Sequence, residues 1–114
     1  MKQLFLEDMS DYTEQQILEH FVDEYQAGAS DVEKFRVLIA YESVGDYGCD
    51  SSSWFLLQEK STGDLYEVHG SHCSCYGFEG QFTPEKTSVE YLTSPHFSAY
   101  GVDSEMIKEC VESM

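Results

Sequence analysis

"SWFLLQEKSTGDLYEVHG", residues 53–70, is the stretch on which the fold turns. Two apolar runs, 54–57 and 65–68, flank the polar "KSTGD" at 60–64. Both runs are rich in residues that suit a pleated, half-buried surface. Gly63 supplies a positive φ to the turn at no steric cost. The stretch therefore predicts a β-hairpin.

Working outward, "KFRVLIAYESV" (34–44) predicts another strand. Phe35, Val37, Ile39 and Tyr41 alternate onto one face, and Leu38 and Ala40 onto the other, so burial on both sides makes this strand central. "GDYGCDSSS" (45–53) reads as a loop by its Gly, Asp and Ser content. Before these strands, "DYTEQQILEHFVDEYQAG" (11–28) predicts an amphipathic helix, with Ile17, Leu18, Phe21, Val22 and Tyr25 on one stripe. Asp11 is the expected cap, with Glu14 completing a capping-box-like pair, and Gly28 is the expected stop. After the hairpin, "TPEKTSVEYLTSP" (83–95) predicts a short helix with Thr83 as cap and Pro84 at its first position, ending before Pro95. "VDSEMIKECVESM" (102–114) predicts a last helix capped by Asp103 or Ser104, with Met106, Ile107, Cys110, Val111 and Met114 on its stripe. Residues 1–10 read as a short edge segment or a disordered lead. The order of elements predicts a single α+β domain over 1–114: a small antiparallel sheet of about three strands with helices packed on one face.

Composition sets the limits on function. Sixteen aromatics, with 41% hydrophobic residues overall, exclude the low-hydrophobicity signature of a disordered chain. Twenty-two acids against six bases give a formal charge of −16. The excess is even, because residues 1–46 and 47–114 each carry eleven acids and three bases. Such a chain repels phosphate, so direct nucleic-acid binding is not expected. It favours a basic partner through steered association that weakens in salt. Glu14, Asp23, Glu24, Asp31 and Glu33 cluster near the first helix and are the candidate partner-binding residues. The plainer reading is a solvated acidic surface. No segment has the length of a signal or a membrane span, so the expectation is a cytoplasmic protein with reduced thiols.

"VHGSHCSCYGFEG" (68–80) gathers two histidines and two cysteines within seven positions. Cys49, His69, His72, Cys73 and Cys75 are candidate zinc ligands, since tetrahedral sites draw on Cys and His. His69 and His72 have the separation of a turn-borne pair, whereas Cys73 and Cys75 have one residue between them, short of the usual chelating spacing. A nucleophilic cysteine is a second reading, with a histidine nearby to lower its pKa. The acidic surroundings oppose it, because a negative field disfavours thiolate. Packing is the third and simplest reading, in which the cysteines act as small hydrophobes.

The combination "YGCDSSSWFLL…LYEVHGSHCSCYGFEGQF" resembles a family of small phage- and prophage-encoded proteins, over roughly residues 41–93 and most specifically at "GSHCSCYG" (70–77). The resemblance carries no activity with it. It implies a cytoplasmic protein made during infection and acting on host machinery. The corresponding expectation is a non-enzymatic inhibitor or modulator of a basic nucleic-acid-handling or defence protein, its acids standing in for phosphates. The alternatives are a small zinc-stabilised domain and a cysteine-dependent hydrolase.

Overall fold

The computed structural model describes residues 3–7, 9–43, 51–72, 82–94 and 104–112. The hairpin forms where the sequence places it. Strands β3 (Ser51–Glu59) and β4 (Leu65–His72) pair antiparallel, from Gln58 opposite Leu65 to Ser51 opposite His72. Gly63, at φ 79°, donates its N–H to the Glu59 carbonyl at 2.8 Å and closes the turn. The strands run further than expected at the open end. Ser51 and Ser52, read as loop, pair with His72 and Ser71.

Strand β2 (Phe35–Ser43) lies inside the sheet, between β3 and β1 (Leu4–Glu7). The sheet has five strands in the order β1-β2-β3-β4-β5, not three. It is mixed, because β1 pairs with β2 in parallel, Leu4 opposite Ile39. A helical crossover between β1 and β2 makes that pairing possible, and residues 4–7 are too few to show a strand period.

Register within β2 also departs from simple alternation. Val37 pairs with Leu57 but Ile39 pairs with Leu56, so Leu38 is an inserted residue. Phe35, Val37 and Ala40 consequently face one way, while Leu38, Ile39 and Tyr41 face the other. Phe35, Val37, Ile39 and Tyr41 do not share a face, as strict period two had implied. Side chains satisfy the backbone at the bulge. The Val37 N–H donates to Glu14 Oε2 (3.1 Å), and the Val37 carbonyl accepts from Gln3 Nε2 (2.9 Å).

Helix α1 (Glu14–Asp23) is capped by Thr13, not Asp11. The Thr13 hydroxyl accepts from the Gln16 N–H and the Gln16 side chain accepts from the Thr13 N–H, a closed capping box. The chain leaves α1 through Gln26, at φ 56°, and Gly28 caps the short helix α2 (Ala29–Val32) instead of ending α1. The expected helix from Thr83 is divided. Residues Glu85–Thr87 form β5 against β4, and α3 (Val89–Leu92) starts after Ser88, whose hydroxyl accepts from the Tyr91 N–H. Strand pairing with Leu65, Tyr66 and Glu67 outweighs the helical start signal at Pro84. Helix α4 (Ser104–Glu112) buries Ile107 and Cys110.

Helices cover both faces of the sheet, not one. On the first face Ile17, Phe21, Tyr25 and Val32 pack on Phe35, Val37, Phe55, Leu57 and Val68. On the second, Leu92, Ile107 and Cys110 pack on Leu38, Ile39, Tyr41, Trp54 and Leu56. Phe21 is fully buried, edge-on to Phe55 at 4.7 Å between ring centres. Burial of one such side chain stabilises the fold by about 1.5–3 kcal/mol. Among the described residues, no helix is long and apolar enough to cross a membrane.

Candidate functional site

The acids near α1 divide into two kinds. Asp23, Glu24, Asp31 and Glu33 are exposed on α1, α2 and their ends. Glu14 is different: it accepts from the Val37 N–H, takes a bond from Gln3 Nε2 (2.6 Å), and lies 3.9 Å from Arg36 Nε. Its carboxylate holds the β2 bulge to the start of α1. Between α1 and α2 the surface opens into a groove of about 450 Å³. Leu18, Val22 and the largely buried Val32 supply apolar lining, and Glu19, Asp23 and Glu33, with Lys60 as a single base, lie around it. Composition predicted acidity here; the groove comes from the close return of the chain at Gln26.

The zinc and thiol readings depend mostly on residues that lie outside the described ones, namely Cys49, Cys73 and Cys75. His72 is a strand residue opposite Ser51, and β4 is extended through both His69 and His72, not the turn that a chelating pair called for. Among the described residues, no three metal-binding side chains converge. Cys110, on the core side of α4, is a buried thiol whose Sγ lies 3.9 Å from the Leu38 carbonyl and whose pKa burial pushes up. It behaves as a packing residue.

His69 sits in a different arrangement. Glu67, two residues earlier on the same face of β4, is 7% exposed. Its Oε1 accepts from the Trp54 indole N–H at 3.1 Å and lies 3.2 Å from His69 Nε2. Burial acts to raise the Glu67 pKa, but the hydrogen bonds from His69 first, then Thr87 and Trp54, outweigh it and hold the carboxyl below its ordinary range. The same hydrogen bond, working against burial, raises the pKa of His69. Glu67, His69, Glu85, Lys86, Thr87 and Tyr91 are among the residues lining an open cleft of about 480 Å³ between the β4–β5 pair and α3. Glu67 and Glu85 were not singled out from the sequence. The period-two spacing of Glu67 and His69 in a strand was the available signal.

A second polar cluster lies under α1. Glu42, 5% exposed on β2, accepts from the Tyr25 hydroxyl (3.1 Å) and lies 3.0 Å from His20 Nε2. The Tyr25 hydroxyl also bonds Ser53 at 2.7 Å. Burial, then the charge of Glu42, push the Tyr25 pKa far above its ordinary value, so the phenol stays neutral. A buried carboxylate requires such donors, and this network ties α1 to the ends of β2 and β3.

No protein-family model, curated protein or solved structure gives a significant match to this chain.

Proposed function

We propose that this chain acts by binding a protein partner with a basic surface, through the face formed by α1 and α2. The observation that carries this reading is the apolar groove between the two helices with exposed carboxylates beside it. An interface needs an apolar centre for affinity and a charged rim for steering and specificity. Leu18, Val22 and Val32 offer the first, and Glu19, Asp23 and Glu33 the second. The specific form of the proposal is a phage-type modulator that occupies the cationic surface of a nucleic-acid-handling or defence protein.

Affinity capture from a bacterial lysate tests it. The native chain retains a basic protein at low salt and releases it at high salt, whereas a Asp23→Lys, Glu24→Lys, Glu33→Lys variant retains none. Equal capture by the folded charge-reversed variant would refute the assignment to this face.

A further inference from the structure

The groove between α1 and α2 has unequal rims. Along α1, Leu18 and Val22 are half-buried and stand one turn apart, and the exposed Glu19 and Asp23 repeat that spacing beside them. On the α2 side Glu33 is exposed and Val32 is buried. Lys60 enters from that side, because its N–H donates to the carbonyl of Lys34, one residue past Glu33. The α1 rim therefore carries two carboxylates, whereas the charges of Glu33 and Lys60 sum to zero. Among the described residues Glu19 accepts only from the Gln15 amide (3.4 Å), and the side chains of Asp23, Glu33 and Lys60 take part in no ion pair. Arg36 and Lys86, by contrast, lie 3.9 Å from Glu14 and 3.5 Å from Asp64.

The groove suits one kind of backbone. An added strand needs an open sheet edge, and the edge strands β1 and β5 do not line the groove. A polyproline segment docks on aromatic rings, and among the described residues no aromatic side chain lines it. A helix needs only side-chain contacts, because its own backbone groups are bonded internally. From Gln15 to Asp23 the α1 wall is about 12 Å long, slightly more than two turns. A helix laid along it sets apolar side chains at i and i+4 against Leu18 and Val22, and bases at the same spacing opposite Glu19 and Asp23.

On the basis of the α1–α2 docking face proposed above, we infer that the occupant of the groove is an amphipathic helix of the partner, its basic edge over α1 and an acidic residue on its other edge facing Lys60. The unequal rims admit that helix in one orientation.

The probe is an alanine-rich peptide of about 18 residues, long enough to be helical alone. It carries leucines at i and i+4, arginines on one edge and one glutamate on the other. It is titrated into the isotope-labelled chain at about 0.15 M salt, where charges more than about 8 Å apart are largely screened. The expected result is a saturable shift of the Leu18 and Val22 methyl resonances, with a dissociation constant on the order of 0.1 mM. A proline at the centre of the peptide breaks its helix and weakens binding by about tenfold or more. Lys60→Glu, at an exposed position, weakens binding by about fivefold, an exposed pair turned from attraction to repulsion. The same variant does not weaken binding of a peptide with glutamine in place of the glutamate. Equal binding by the proline-broken peptide, or an equal effect of Lys60→Glu on the glutamate and glutamine peptides, would overturn the oriented helix while leaving a basic partner on this face. Failure of every peptide to shift Leu18 and Val22 overturns it too. The docking face itself falls only when the charge-reversed chain also captures as much from the lysate as the native chain.

Discussion

Glu14 joins the acidic surface around α1 to the frame of the fold. Its carboxylate satisfies the backbone N–H at the β2 bulge, so it belongs to the fold before it belongs to any interface. Glu14→Ala leaves that N–H, at the fully buried Val37, without its acceptor, and is expected to cost about 1–2 kcal/mol in urea denaturation. Asp23→Ala, at an exposed position, should stay within about 0.5 kcal/mol of the native chain. The bulge was not legible beforehand, since nothing in "KFRVLIAYESV" distinguishes Leu38 from its apolar neighbours. Only pairing with Leu56 and Leu57 reveals the inserted residue.

The Glu67–His69 pair predicts a pH dependence at the same scale. The pKa of His69 is raised in the fold, so its contribution is complete below the ordinary histidine value of about 6.5 and is lost as pH rises through the folded value. The pKa of Glu67 is lowered, so its contribution is present above the ordinary glutamate value and is lost as pH falls through the folded value. Stability from the pair is therefore greatest between those limits. Denaturation midpoints measured on both sides of neutrality should fall toward alkaline pH in the native chain, and less steeply in His69→Gln. The difference is small because the His69 side chain is more than half exposed.

At the scale of elements, the hairpin, α1 and β2 were readable because each carries its own periodicity and turn chemistry. What was left open or misplaced at this scale lies mostly in pairings between segments distant in sequence. Residues 4–7 become β1 only because β2 accepts them in parallel, and residues 85–87 become β5 only because β4 has an edge to fill. The placement of helices on both faces follows from those additions. Capping is a local case that can be checked. Thr13→Ala opens the capping box and should lower stability by about 1 kcal/mol, whereas Asp11→Ala, expected from sequence to be the cap, should have no effect on α1. Thermal unfolding followed by circular dichroism separates the two. The candidate sites were legible to different degrees: acidity around α1 came from composition, while the opposition of Glu67 and Glu85 needed the strand register.

For the whole molecule, the charge of −16 governs behaviour more than any single pair. Self-repulsion opposes the compact state and is screened within about 10 Å at 0.1 M salt. The melting temperature should therefore rise as sodium chloride is added, and a flat or falling curve would show that the acids are locally compensated. The same screening weakens attraction to a basic partner, so one variable is expected to stabilise the chain and loosen its complex.

The central claim is that the α1–α2 face is a docking surface for a basic partner. Its most direct test is an NMR titration of the labelled chain with a lysine- and leucine-bearing amphipathic peptide, at low salt. The account predicts saturable shifts concentrated at Leu18, Val22 and Val32 and at the acids beside them, diminished by salt and absent in the Asp23→Lys, Glu24→Lys, Glu33→Lys variant. Shifts spread evenly over the acidic surface, or equal binding by that variant, would contradict it.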